Sequence, residues 1–272
     1  MGRNPNSITT CLQIGFEQST DFILIQEPYI GNLTSNNPYT VSHPSYYCFL
    51  PETRGIRPRV VIFAKKRSRF QLNLRPDLCS SKDLLIGNII NTSNKLDPIQ
   101  LINIYNKKSQ RPNTSQRTIE RDLVTINPSN FSIIAGDFNA HYSWWNSQVE
   151  SPKRATVLLE WVIKHDLELL NEPDLYTFCR GDYKSVLDLT FISPELANLA
   201  GLGLVSQEEG ESRNSPWFID SNETSGSDHE LIQFSFQLDQ IGMVENPLLG
   251  NQYNLKKANW GKANKKLLEL KS

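Results

Sequence analysis

The chain has 272 residues, 38% of them hydrophobic and 21% charged, with 28 Lys and Arg against 29 Asp and Glu for a net charge of -1. That suits one large domain, or one domain with an appendage, and it excludes a surface of uniformly basic or acidic character while leaving room for a local basic face. Four scattered cysteines (Cys11, Cys48, Cys79, Cys179) argue against a disulfide framework or structural zinc and for a reducing compartment, and no apolar run marks a membrane span or a secretory signal.

In chain order, residues 8–18 read as a helix with Asn6 or Ser7 as N-cap and Ile8, Leu12 and Phe16 on one face. Residues 22–25 form a short buried strand that Pro28 stops just after Glu27. The polar, Asn- and Pro-rich stretch 31–44 is a loop. Residues 46–50 and 59–64 read as two strands, and 83–90 with 98–105 as another pair. A helix is predicted over 114–126, with Ile119 and Leu123 inward, and a strand over 131–135. The strongest helical pattern spans 154–170, where Val157, Leu158, Trp161, Val162 and Leu169 make an apolar stripe. Strands follow over 186–192 and 231–238. Many short strands, few helices and no βαβ rhythm favour a packed-sheet α/β or α+β domain over a doubly wound parallel sheet.

Four fragments carry chemistry. The run Gly136-Asp137-Phe138-Asn139-Ala140-His141 ends a buried strand, and in extended backbone Phe138 points away from Asp137 and Asn139, which share a side. Taken alone this run is an ordinary turn. Glu27 ends another strand. Asp188, between Leu187 and Leu189, faces the opposite side from both and needs a partner if that face is buried. Asp228 and His229 follow Gly226-Ser227, directly before the last apolar strand. Carboxylates gathered in one cleft repel each other unless a divalent cation neutralises them, and oxygen ligands with a single imidazole suit Mg²⁺ or Mn²⁺ better than zinc. That chemistry points to phosphate-ester hydrolysis, with Asp188 and His229 as an Asp–His pair and Asp137 holding the water.

Gln26-Glu27-Pro28, Asn103-Ile104-Tyr105-Asn106, the Gly136–His141 run, Leu187-Asp188-Leu189-Thr190-Phe191 and Gly226-Ser227-Asp228-His229 stand in an order that resembles the endonuclease/exonuclease/phosphatase superfamily. Within it, the chain looks most like the apurinic-type endonuclease domain of non-LTR (LINE-type) retrotransposons. The resemblance implies an α/β (α+β) four-layer sandwich, two mostly antiparallel sheets flanked by helices. It implies Glu27 as metal ligand with Asp228 supporting the metal, and Asp137 with Asn139 handling the water. Tyr105 would contact the scissile phosphate, Asp188 would orient His229, and His229 would bind the phosphate. One departure stands out: the family's first strand, with its terminal Asn, is missing ahead of the first helix. The domain is accordingly expected over 1–238, N-terminally truncated. Residues 239–272, rich in Lys, resemble the linker that leads to a reverse transcriptase.

Arg57, Arg59, Lys65, Lys107 and Lys108 lie on segments beside the proposed cleft and are candidates for gripping a DNA backbone, although for any single one ordinary surface charge is the better reading. Trp144 could stack on bases or pack. The implied function is a Mg²⁺-dependent DNA endonuclease that nicks a target strand for retrotransposition, with a nuclear location inferred from that substrate. Two alternatives remain: an inactive relic that at most binds DNA, and a small-phosphoester phosphatase of the same superfamily.

Overall fold

The computed structural model describes residues 4–31, 39–53, 55–93, 97–107, 118–149, 155–200, 217–220 and 223–236. Lys108 and the Lys-rich stretch expected over 239–272 lie outside them.

The first helix, α1 (Pro5–Glu17), begins where the Asn4 side chain accepts the Asn6 N–H at 3.0 Å and Pro5 takes the first turn. The cap is thus Asn4 rather than Asn6 or Ser7, because proline is favoured just inside a helix start. No strand precedes α1 among the described residues. Strands β1 (Phe22–Gln26), β2 (Tyr46–Phe49) and β3 (Val60–Lys65) form an antiparallel sheet in the order β1-β3-β2. Ile8, Cys11 and Leu12 of α1 pack on Ile23, Ile25, Val61 and Phe63 of this sheet. By the alternation of a strand, Leu24, Gln26, Val60 and Ile62 face the other way.

That other face meets a six-stranded sheet. It is built from β4 (Phe70–Leu74), β5 (Leu84–Asn91), β6 (Ile99–Tyr105), β7 (Ser132–Asp137), β8 (Glu168–Leu169) and, beyond a hairpin of β9 (Phe178–Arg180) and β10 (Tyr183–Ser185), β11 (Asp188–Ile192). The order is β4-β5-β6-β7-β11-β8. All neighbours are antiparallel except β6 and β7, which run parallel. The chain between those two includes the short helix α2 (Thr118–Arg121) and a 3-10 turn at Leu123–Thr125. Ile119, Leu123 and, from α3 (Thr156–Lys164), Leu158, Trp161 and Val162 cover the sheet's outer side against Ile102, Ile104, Ile134 and Phe191. Each fully buried aliphatic or aromatic side chain there contributes roughly 1.5–3 kcal/mol. The layers are helix, sheet, sheet, helix. A further helix, α4 (Pro194–Leu199), follows β11, and β12 (Trp217–Ile219) pairs with β13 (Ile232–Phe234).

Two predicted helices are shorter than their apolar patterns. Of 114–126, the described part is one helical turn and a 3-10 turn, with 111–117 outside the described residues. The pattern over 154–170 ends as a helix at Lys164; His165 caps it, Asp166 turns with φ 53°, and Glu168–Leu169 pairs with β11 as β8. Leu167 and Leu169 still face the core, so a helix running into a short strand presents the same apolar spacing as a longer helix. Strands β4, β9, β10 and β12 and helix α4 go unannounced in the sequence, being three to six residues long. No described helix is long and apolar enough to cross a membrane.

Candidate active site

Three neighbouring strands of the large sheet end in one row. Tyr105 at the end of β6 is registered with Asp137 at the end of β7, and Asp137 with Asp188 at the start of β11. Because registered residues share a face, all three side chains point toward the smaller sheet. Gly136 makes the row possible. Its φ is 144°, and a Cβ there would lie 2.0 Å from the Ile104 carbonyl oxygen of the parallel neighbour. Only glycine lets β7 approach β6 so closely.

Past the row, the chain is held by asparagines. Phe138 turns outward into the core, edge-on to Phe191 at 5.5 Å. The Asn139 N–H donates to Asp137 Oδ1 at 2.9 Å, and Asn139 Nδ2 donates to the Asn106 carbonyl at 2.9 Å. Buried Asn106 returns the connection, its N–H donating to the Asp137 carbonyl at 2.7 Å and its Nδ2 to the Phe138 carbonyl at 2.7 Å. Asn139 sits in the left-handed region at φ 44°.

Asp188 finds the partner its burial demands. His229 Nδ1 donates to Asp188 Oδ2 at 2.8 Å. Thr177 Oγ1, itself buried, accepts the N–H groups of Leu187 and Asp188 at 3.0 Å each, and Asn171 Nδ2 donates to the Asp188 carbonyl at 2.9 Å. Phe178 packs edge-on against the His229 ring at 4.9 Å, on a hairpin that the sequence does not signal. Burial would lower the His229 pKa, but the Asp188 carboxylate and its hydrogen bond outweigh it and raise the imidazole above its ordinary value. Asp137 moves the same way for a different reason. Burial, then the neighbouring Asp188 charge, push its carboxyl from 3.8 up to about 7.

Glu27 comes from the smaller sheet. It follows β1 in the left-handed region at φ 49°, with its N–H donating to the Arg59 carbonyl at 2.8 Å. The Tyr105 hydroxyl is hydrogen-bonded to Glu27, and burial, with the Glu27 and Asp137 charges, raises its pKa well above the usual phenol range. Five of the expected site residues therefore converge: Glu27, Tyr105, Asp137, Asp188 and His229, with Asn139 on the adjoining turn. Asp228 does not join them. Its carboxylate pairs with Arg180 on the β9–β10 hairpin, with Nε at 2.9 Å; burial would raise it, yet Arg180 and His229 hold it below the usual range. His141 Nδ1 lies 3.2 Å from Ser185 Oγ, beside the site.

The candidate DNA-gripping residues separate. Lys107 and Trp144 are exposed and Lys65 is half-buried, over the Ser19 carbonyl at 3.4 Å. Arg57 is half-buried. Arg59 departs from the sequence expectation, since its guanidinium is ion-paired with fully buried Asp83 and stacked 4.9 Å over the Tyr105 ring. Burial would raise Asp83, but Arg59 and Lys82 outweigh it and keep its carboxyl low. An arginine followed by a buried strand reads in sequence like any surface charge, so this commitment could not be seen there. Thr177, Asn171 and Asn106 were likewise not singled out as site residues, because their roles depend on backbone they meet only after folding.

The residues present fit a divalent cation. One ligand atom each from Asp137, Asp188 and His229 lie within 4.8 Å of one another, in a largely buried setting whose carboxylates repel. Residues 99–233 match the endonuclease-reverse transcriptase family. Among solved structures, the endonuclease domain of TRAS1, a telomere-specific non-LTR retrotransposon, superposes with a TM-score of 0.63 at 22% identity, covering 87% of this chain and 95% of that one. At that identity the likeness is one of fold. No curated protein matches the chain. The family match, over almost half of the chain, together with the shared fold makes the chain similar to the endonuclease-reverse transcriptase proteins of the endonuclease/exonuclease/phosphatase type.

Proposed function

We propose that this domain hydrolyses a phosphodiester bond in one strand of DNA, with Mg²⁺ or Mn²⁺ as cofactor, so that the nicked end primes a reverse transcriptase of the parent element. The observation that carries the reading is the row Tyr105, Asp137, Asp188 with His229 locked to Asp188 at 2.8 Å. Glu27, with the Asp137, Asp188 and His229 group, offers the donors for the cation, while the Asp228 carboxylate is committed to Arg180. When bound, the cation supplies neutralisation of charge building on the phosphoryl oxygens.

The chain's own groups do the rest. Asp137 accepts a proton from the attacking water, and a carboxylate whose affinity for protons is raised toward neutrality is suited to that task. Asn139 keeps its Nδ2 on Asn106, so its Oδ1 is the end that orients the water. His229 donates a hydrogen bond from Nδ1 to Asp188 and keeps that proton, so its Nε2 side serves the phosphate as a charged donor while the imidazole is protonated. Tyr105 contacts the scissile phosphate. Lys107, Arg57 and Trp144 are the candidates for the flanking backbone and bases, whereas Lys65 stands at the end of β3 away from Glu27 and Arg59 acts from within through Tyr105. Such a substrate places the work in the nucleus.

The test is conversion of supercoiled plasmid to open circle by the purified chain with Mg²⁺, alongside Asp137→Ala and His229→Ala. Nicking that requires Mg²⁺ and falls at least about 1,000-fold in both variants is expected. A folded chain that leaves the plasmid intact sinks the proposal.

A further inference from the structure

The catalytic groups are divided between two sheets, so the distance between the sheets is part of the site. Residues 101, 103 and 105 of β6 face the smaller sheet. Leu101 is apolar and Tyr105 belongs to the site. Asn103, between them, is a fully buried amide at 0% exposure. Its Nδ2 donates to the Val61 carbonyl of β3 at 2.9 Å and to the Ile25 carbonyl of β1 at 3.4 Å. Its Oδ1 accepts from Gln26 Nε2 of β1 at 2.7 Å. One side chain of the large sheet thus grips both neighbouring strands of the small one.

We propose that Asn103 is a positioning residue that fixes where Glu27 stands relative to Tyr105 and Asp137. The proposal rests on the nuclease reading above. The lever arms are short. Glu27 is the residue after Gln26, and its own N–H is tied to the Arg59 carbonyl next to β3. Tyr105 is two residues past Asn103, on the same strand and face. Sheets that pack through apolar side chains are held at a set spacing, but apolar contact has no direction and resists sliding weakly. Three hydrogen bonds from one planar amide have direction, and in a dry interior they resist displacement along both strands. The sandwich needs no polar group there to be stable, since matched apolar residues can replace a buried hydrogen-bonded set at little cost. Placement of Glu27 is what the amide provides. A misplacement of about 1 Å at a catalytic group costs on the order of 100-fold in rate.

The test uses the full chain with Asn103→Leu, Gln26→Met and the double variant. Plasmid nicking is followed over a Mg²⁺ series, binding of Mn²⁺ alone by electron paramagnetic resonance, and folding by thermal denaturation. Asn103→Leu should lose about 10- to 100-fold in kcat with KM for DNA within about twofold, and should bind Mn²⁺ several-fold more weakly, while remaining folded. Gln26→Met, which removes one of the three bonds, should fall between it and the parent, and the double variant should be no worse than Asn103→Leu because both act through one linkage. An Asn103→Leu chain that folds and keeps both kcat and Mn²⁺ affinity within about twofold overturns the proposal. Should Asn103→Leu not fold, an unchanged kcat and Mn²⁺ affinity in Gln26→Met overturns it equally. If the parent chain binds Mn²⁺ yet nicks nothing, the nuclease reading fails, and the Mn²⁺ affinities still decide the role of Asn103.

Discussion

Asp137, Asp188 and His229 share one small volume, and the protons of Asp137 and His229 are linked to stability. Asp137 has its folded pKa raised from 3.8 to about 7, so its contribution is complete below about pH 3.8 and is lost as pH climbs to about 7. His229 is also raised, so its pairing with Asp188 helps fully below pH 6.5 and is lost as pH rises through its folded value. Both terms have the same sign near neutrality. The cation-free protein should therefore melt at progressively lower temperature from pH 5 to pH 8, as read by differential scanning calorimetry; a flat profile would contradict the buried acid pair. Asp83 runs the other way, its contribution present above pH 3.8 and lost in stronger acid. Asp188→Asn should lower the His229 pKa, since burial then acts without the countercharge, and the imidazole proton resonances would report it. Sequence alone singled out Asp188 for the right reason: an acid facing away from two leucines in a strand needs a partner. It could not say that Asp228, one residue from that partner, would be taken by Arg180, because the β9–β10 hairpin is three residues a strand and leaves no pattern.

At the level of elements, the strand β7 and its turn are shaped around glycine and around strain. Gly136→Ala must move the Ile104 carbonyl or break the β6–β7 ladder, and should destabilise the domain by about 3 kcal/mol or more in urea unfolding. A cost below about 1 kcal/mol would mean that β6 yields easily. Glu27 and Asn139 both occupy left-handed backbone that ordinary residues avoid, at a cost of order 1 kcal/mol each. Glu27→Gly should accordingly leave stability unchanged or raise it by up to about 1 kcal/mol while abolishing nicking. A clear loss of stability would show that the Glu27–Tyr105 hydrogen bond outweighs the strain. The order of β1, β3, β5, β6, β7 and β11 was readable because each is a run of apolar residues with clear stops. Helix lengths were not, since Leu167 and Leu169 extend the apolar spacing of α3 into β8. The parallel pairing of β6 and β7 was not readable either, because the described part of the connection between them carries only short helical turns.

The whole molecule behaves as two sheets that must dock before the site exists. A cation that binds only the docked form should raise the melting temperature of the parent chain at pH 8, by an amount that grows with the logarithm of its concentration. Mg²⁺ should give that shift in the parent chain and not in Asp137→Ala, by thermal denaturation with and without the ion. Equal shifts in both would place the ion elsewhere. The fold was legible because the apolar runs have clear stops and the chemistry-bearing motifs stand at strand ends in a recognisable order. Asn103 lies within the Asn103-Ile104-Tyr105-Asn106 motif, yet nothing in one dimension shows that its amide reaches Val61, Ile25 and Gln26 in another sheet.

The groups that converge on the cleft are spread from Glu27 to His229, almost the full span of the described chain. During synthesis the imidazole leaves the ribosome last, some two hundred residues after the first carboxylate. A nascent chain thus holds no complete site until its domain is nearly finished, and a proteolytic fragment or prematurely stopped copy lacking either end lacks part of it. Breakage of the message or of the polypeptide therefore leaves an incomplete constellation rather than a smaller working one.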